Sequence, residues 1–301
     1  MSGAKGQIHD LGYKRYVGTR RPPSTRWRVI ARHQISFAWK TWWRFKAALG
    51  IAIIATCITS GLMLFASERS TSVGLAQAIV KPLIDSALPE SIIWFCRAGF
   101  LVSLTIGAGV VASDVQSGAF TFYFARSVKP FHYVAGKLVG LCALLAIIVF
   151  AGPMVISGLR VGIADSPEQL IEMLPYLGKT AIIGAVATLA YAAVPLGFSA
   201  LLHNRRHALA LWAAYYLIFG EMMHALGRAS DSSGWIAAID IPHAVQALAY
   251  DLYDIKFRAQ RDANIPVEAA VVALAAHVVL AIAIVLHRVR AAQRAGIGGG
   301  A

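Results

Sequence analysis

The sequence predicts an all-α integral membrane protein: six transmembrane helices preceded by an amphipathic interface helix, with both termini in the cytoplasm. Three observations predict it. Of the 301 residues, 57% are apolar by the broad count and only 14% are charged, against roughly 45–50% and about 25% in soluble proteins. Six windows of about 20 residues run almost without charge, the length a helix needs to cross about 30 Å of hydrocarbon. Lys and Arg are divided unevenly among the segments between those windows, which orients the chain. A mean hydropathy of +0.61 over this length also exceeds what one compact core can enclose.

Taken in order, residues 1–23 are a polar, basic segment, and nothing in 1–46 resembles the apolar stretch and cleavage site of a secretory signal, so these residues are expected to be kept. Residues 24–46 read as the interface helix. Ser24-Thr25 after Pro22-Pro23 can cap it, and Trp27, Ala31, Ile35, Ala38, Trp42 and Phe45 recur every three or four residues. Arg28 and Arg32 fall off that stripe, and Trp27, Trp39 and Trp42 suit the headgroup level, so membrane lipids are the expected neighbour. The helix either only anchors and orients the chain or also grips a cytoplasmic partner.

The transmembrane domain spans 47–287, with windows at about 47–66, 92–112, 138–159, 180–202, 208–227 and 267–287. Pro195 is expected to kink the fourth, which neighbouring groups can tolerate. An even number of spans puts both termini on one side. Segments on the terminal side hold 19 Lys and Arg, against 8 in the loops 67–91, 160–179 and 228–266, so the terminal side is the cytoplasmic one. The tail 288–301 is then cytoplasmic, and the expected location is the bacterial inner membrane. The outer loop 228–266 mixes Asp231, Asp240, Asp251, Asp254 and Asp262 with apolar stretches, which predicts short helices at the outer surface.

Several chemistries are excluded. Cys57, Cys96 and Cys142 lie in apolar stretches with no metal-ligand spacing. A net charge of +13 could suggest nucleic acid, but the basic residues flank apolar spans, where anionic headgroups are the simpler partner, and no nucleic-acid partner is expected. Gly178-Lys179-Thr180 imitates the end of a phosphate-binding loop, yet the required earlier glycine is Met173 and the tripeptide sits at the outer mouth of span four. The chain itself is not expected to be an enzyme or to bind a cofactor.

Ionisable groups within spans are costly and stand as functional candidates. Arg97 near the outer end of span two is either a snorkelling side chain or part of a pathway. Glu221 and His224 share a face of span five at i and i+3, and His277 lies in span six. Glu-x-x-His occurs at metal sites in helical bundles, which need further carboxylates or histidines from other helices; no metal is expected here. Three readings stay open for these residues: a pathway, a helix or protomer contact, or a membrane-embedded enzyme using Glu221 and His224 as acid and base. A non-catalytic scaffold is a further alternative for the chain as a whole.

The segment 113–137 between spans two and three is short, inner and unusually aromatic, with Phe120, Phe122, Tyr123, Phe124, Phe131 and Tyr133 close together. Such a loop must bury against its own helices or another protein. Asp114, Gly118-Ala119, Tyr123-Phe124-Ala125-Arg126 and Tyr133-x-x-Gly136-Lys137 resemble the intracellular loop of type-2 ABC exporter permeases, and Ile8 to Tyr16 resembles the opening of a bacterial subgroup. The resemblance implies a coupling helix on this loop, with Asp114, Gly118, Phe122, Tyr123, Arg126, Tyr133, Gly136 and Lys137 coupling to an ATPase. It also implies two ATPase subunits that carry ATP and magnesium, and a second copy of this chain to complete the pathway. One departure stands out: Ser127 follows Arg126 where relatives place proline, and proline waits until Pro130, which leaves the turn geometry open.

Overall fold

The computed structural model describes residues 22–41, 43–70, 75–125, 128–164, 166–229, 234–254 and 265–298, and every regular element among them is helical. A 3-10 turn at Pro23–Thr25 leads into α1 (Arg26–Thr41), which is followed by α2 (Trp43–Ser70) and α3 (Leu75–Val102). The Thr25 hydroxyl donates back to the Pro22 carbonyl at 2.9 Å, closing the turn. A π-helical turn, Ser103–Gly107, joins α3 to α4 (Val110–Gln116), and α5 (Ala119–Ala125) lies beyond it.

Next come α6 (Pro130–Leu145), a second π turn at Ala146–Phe150, and α7 (Ala151–Gly162). Then α8 (Pro167–Met173) and α9 (Pro175–Leu201) follow, with α10 (Arg205–Ala214), a third π turn at Tyr215–Gly220 and α11 (Glu221–Ala229) after the next bend. The chain described ends with α12 (Gly234–Ala237), α13 (Ile241–Leu252) and α14 (Val267–Gly298). Caps follow the sequence locally: Ser166 Oγ accepts from Gln169 N–H at α8, and Asn204 Oδ1 accepts from Arg206 N–H at α10.

Six helices among the described residues are long and apolar enough to cross a membrane: Phe45–Leu62, Leu88–Gln116, Pro130–Gly162, Pro167–Leu201, Arg205–Ala229 and Val267–Ala295. They match the six predicted windows. The connections are more helical than expected, because α2 and α3 continue beyond the apolar windows into the expected 67–91 loop, as far as Ser70 and back from Leu75. At 1.5 Å per residue the 28 residues of α3 reach about 42 Å, longer than the hydrocarbon slab itself. The 228–266 segment does contain short helices, α12 and α13.

Spans two and four form the middle of the bundle, with about two thirds or more of their windows buried, whereas spans one, five and six present apolar faces outward. Ile51, Ile54, Ile58 and Leu62 on α2 are exposed, as a lipid-facing stripe requires. Tyr191, Trp212, Tyr133, Phe95 and Leu141 are among the large side chains fully buried in the core. Helix α9 runs unbroken through Pro195.

Span two is broken where it nears α5. After the π turn and two turn residues, the amides of Val111 and Ala112 open α4 and both donate to Ser199 Oγ of α9, at 3.0 Å each. A freed backbone donor inside an apolar bundle needs such a partner, and one serine hydroxyl serves two.

Candidate functional site

Two clusters of polar and aromatic side chains emerge, one at the end of the bundle bearing α1 and α5 and one at the opposite end. At the first, Gly118 terminates α4 with φ +66°, a left-handed conformation that glycine adopts without steric cost. Its carbonyl then accepts both Thr121 N–H at 3.2 Å and Thr121 Oγ–H at 2.6 Å, which starts α5. Phe120 on the inner face of α5 is buried and meets Tyr133 edge-on at 5.2 Å between ring centres. Phe122 on the outer face is 76% exposed and Phe131, at the start of α6, is 67% exposed. The loop therefore divides its aromatics between anchoring and display.

Asp114 organises the anchor. Tyr133 O–H donates to Asp114 Oδ2 at 2.7 Å, and Lys137 Nζ pairs with the same oxygen at 2.8 Å. Tyr133 and Lys137 sit one turn apart on α6, so α4 and α6 are joined by two charge-assisted contacts within a mostly buried setting. Tyr123 completes the group: burial first, and then the Asp114 charge, push its phenol above the ordinary tyrosine range. Asp114, Tyr123 and Lys137 line a cleft of about 240 Å³ together with Gln34 of α1 and Arg205 of α10.

Pro130, the later proline noted in the sequence, starts α6. It occupies the first turn of α6, where its missing N–H costs nothing, and Lys129 before it is extended at φ −81°, ψ 152°, as a residue preceding proline must be. Arg126 lies outside the described residues, as does the Ile8 to Tyr16 segment.

Helix α1 packs on the first half of α6. A Cβ at Gly136 would lie 2.7 Å from Ile30 Cβ and 2.8 Å from the Trp27 carbonyl oxygen, and one at Gly140 would lie 3.2 Å from Ala31 Cα. The Gly-x-x-x-Gly spacing thus brings two helix backbones into contact. Ile30, Ala31, Gln34 and Ala38 form the buried face, while Arg28, Arg32 and Trp39 are exposed and Trp27 is half-buried. Ile35 of the predicted stripe is only partly buried, and the seam is shifted toward Ile30 and Gln34 because the partner is a helix rather than a flat surface. Gln34 is 7% exposed, and neither of its amide atoms finds a hydrogen-bond partner among the described residues. Trp42 lies outside the described residues.

The polar residues within the spans separate. Arg97 is exposed and lies 4.8 Å from the Trp94 ring centre, a cation–π contact on the bundle exterior. Glu221 is exposed, whereas His224 is buried and stacks on His243 of α13 at 3.6 Å between ring centres. His243 Nδ1 hydrogen-bonds Asp240 Oδ2, and His224, Asp240 and His243 each offer a ligand atom within 4.8 Å of the others. Glu221 is not part of this group.

His277 belongs to a separate chain of polar contacts. Its Nδ1–H donates to the Ala273 carbonyl at 2.6 Å, which leaves Nε2 to accept from Tyr215 O–H. Tyr215 also approaches the Ile239 carbonyl oxygen at 3.3 Å. The π turn at Tyr215–Gly220 lets the consecutive Tyr215 and Tyr216 both face protein, with Tyr216 stacked on Phe100 at 3.9 Å and accepting from Tyr191 O–H at 3.1 Å.

Sequence reading named Asp240 only among the acids of the outer loop and did not single out His243 or Tyr215. Asp240-x-x-His243 was legible as an i, i+3 pair at a helix start, with Pro242 just inside it, but the pairing with His224 depends on how α13 folds back. Comparison with protein-family models and with curated proteins gives no match for this chain.

Proposed function

We propose that this chain is the membrane permease subunit of an ATP-driven exporter of the type-2 ABC class, working as a dimer with two separate ATPase subunits. The observation that carries the reading is α5: a two-turn helix that displays Phe122 outward while Phe120 and Tyr133 pin it to the ends of spans two and three. A displayed aromatic on a rigid base is what a protein-docking element requires. The charge distribution supports placing α5 and both termini in the cytoplasm of a bacterial inner membrane, where ATP is available. Helix α1, with its buried seam on α6 and its exposed Arg28, Arg32 and Trp39, then lies against the inner leaflet.

In this reading each ATPase subunit binds ATP and magnesium, and closure of the ATPase pair moves α5. The Asp114–Lys137 and Asp114–Tyr133 contacts transmit that movement to spans two and three together. ATP shifts the equilibrium between inward and outward access only to the extent that the closed ATPase pair binds one arrangement of the two loops more tightly. The centre of each six-helix group is filled by α9, so the pathway runs between two copies of the chain. The test is purification from native membranes in mild detergent with an ATPase assay on the product. A stoichiometric ATPase that is lost with Phe122→Ala supports the reading; a chain recovered alone and without nucleotide hydrolysis, in several detergents, removes it in favour of a scaffold.

A further inference from the structure

We infer that His224, Asp240 and His243 form a binding site for one divalent transition-metal ion of the zinc type, at the end of the bundle opposite α5. The inference does not rest on the transport reading, since it concerns side chains that α5 and its anchor do not touch.

The three groups come from two elements. His224 lies on α11, while Asp240 and His243 open α13 at i and i+3, with Asp240 as its N-cap, accepting from His243 N–H at 3.4 Å. All three are withdrawn from solvent: Asp240 is 1% exposed, His224 is buried and His243 nearly so. An ionisable carboxylate this deeply buried calls for a cationic partner. One imidazole already hydrogen-bonds it through Nδ1, and a second imidazole stacks directly on the first.

Space for the carboxylate is built into the backbone. A Cβ at Gly220 would lie 2.3 Å from Asp240 Oδ1, so a larger residue there would force the carboxylate to shift. Gly220 is i−4 from His224 on the same helical face, and Gly227 at i+3 makes the matching close approach to Ala237, where a Cβ would lie 2.5 Å from the alanine methyl. The face Gly220-x-x-x-His224-x-x-Gly227 therefore presses one imidazole into the turn that carries Asp240.

The donor set selects the ion. Two imidazoles and one carboxylate suit a borderline divalent ion with an open coordination position, whereas calcium and magnesium take oxygen donors. Ligand atoms around a tetrahedral ion with bonds of about 2.0–2.1 Å lie roughly 3.3 Å apart. The present separations are all within 4.8 Å, so each exceeds that value by about 1.5 Å at most. An imidazole nitrogen that ligates the ion gives up any proton it carries to solvent.

The experiment uses the full-length chain in detergent, stripped with chelator, passed over a desalting column and dialysed against Zn²⁺ or Co²⁺. One ion per chain by elemental analysis, with the visible absorption of tetrahedral Co²⁺, is expected. His224→Gln and His243→Gln should each weaken binding by on the order of 100-fold. Asp240→Asn keeps an N-cap acceptor and should do the same with α13 intact, while Glu221→Gln should leave affinity unchanged. Absence of stoichiometric ion in the wild-type chain overturns the inference, whatever the variants do. Binding equal to wild type in the folded histidine variants also overturns it, and loss in Glu221→Gln alone would relocate the site.

Discussion

Lys137 of α6 sits 2.8 Å from Asp114 Oδ2 at the end of span two, and the same oxygen receives Tyr133 O–H. The ends of two membrane-spanning helices are thereby locked together beneath the short helix that displays Phe122. Removing one partner strands the other in a mostly buried site. Lys137→Met is expected to destabilise the purified chain by about 3 kcal/mol. The double variant Asp114→Asn/Lys137→Met should lose less than the sum of the singles, as read by detergent-resolved thermal unfolding. Additive losses would show that the pair is not coupled.

Phe122→Ala should separate docking from stability. The side chain is exposed, so thermal unfolding should shift by no more than about 0.5 kcal/mol. If Phe122 is an anchor, affinity for the proposed ATPase partner should fall about 30-fold or more, the loss typical of a buried aromatic at an interface. A titration with the purified partner reads both limits.

Gly136→Ala tests the α1 seam. A methyl there meets Ile30 Cβ and the Trp27 carbonyl at under 3 Å, and relieving it requires α1 to move away from α6. The expected cost is about 1–3 kcal/mol, with faster proteolysis of the chain before residue 41. Gly61→Ala is the control, since open space surrounds that position.

Gly118→Ala forces an L residue into the left-handed region at roughly 1–2 kcal/mol, while Gly118→Asn should cost less because asparagine visits that region more readily. The account expects ATPase coupling to fall in the alanine variant and recover in the asparagine variant. Equal coupling in both would make the turn at Gly118 irrelevant to transmission.

Alkaline stability should report Tyr253, which lies beyond α13. Burial pushes its phenol from 10.0 up to about 12, partly offset by the Thr180 hydroxyl bond at 2.5 Å. A folded-state pKa raised above the unfolded one means the folded chain holds its proton more tightly. The contribution is therefore complete below about pH 10 and is lost as pH rises toward 12. Tyr253→Phe should flatten that decline in unfolding scans between pH 9 and 12, and an unchanged slope would assign it elsewhere.

The helical class and the six spans were legible because apolar windows of that length have few alternatives. Gly118, Gly136 and Lys137 were also picked out, and the structure supplies a backbone reason for each glycine. What the sequence could not reveal was partnership across the chain. His224 reads as the partner of Glu221 because they are close in sequence, yet its ring stacks on His243. The break in span two is equally silent, since the two amides it frees are satisfied by Ser199, a residue of span four. The α1 seam is shifted for the same reason: periodicity shows that a stripe exists, while α6 decides which residues enter it.

The most direct test of the account is photo-crosslinking from position 122. The chain carrying a photoreactive residue in place of Phe122 is expressed in its native membrane and irradiated, and the crosslinked product is identified by mass spectrometry. The account predicts a crosslink to a protein with a phosphate-binding ATPase loop, weakened by Asp114→Asn and accompanied by nucleotide hydrolysis in the purified complex. Crosslinks confined to lipid or to the chain itself, with expression and membrane insertion intact, would contradict it.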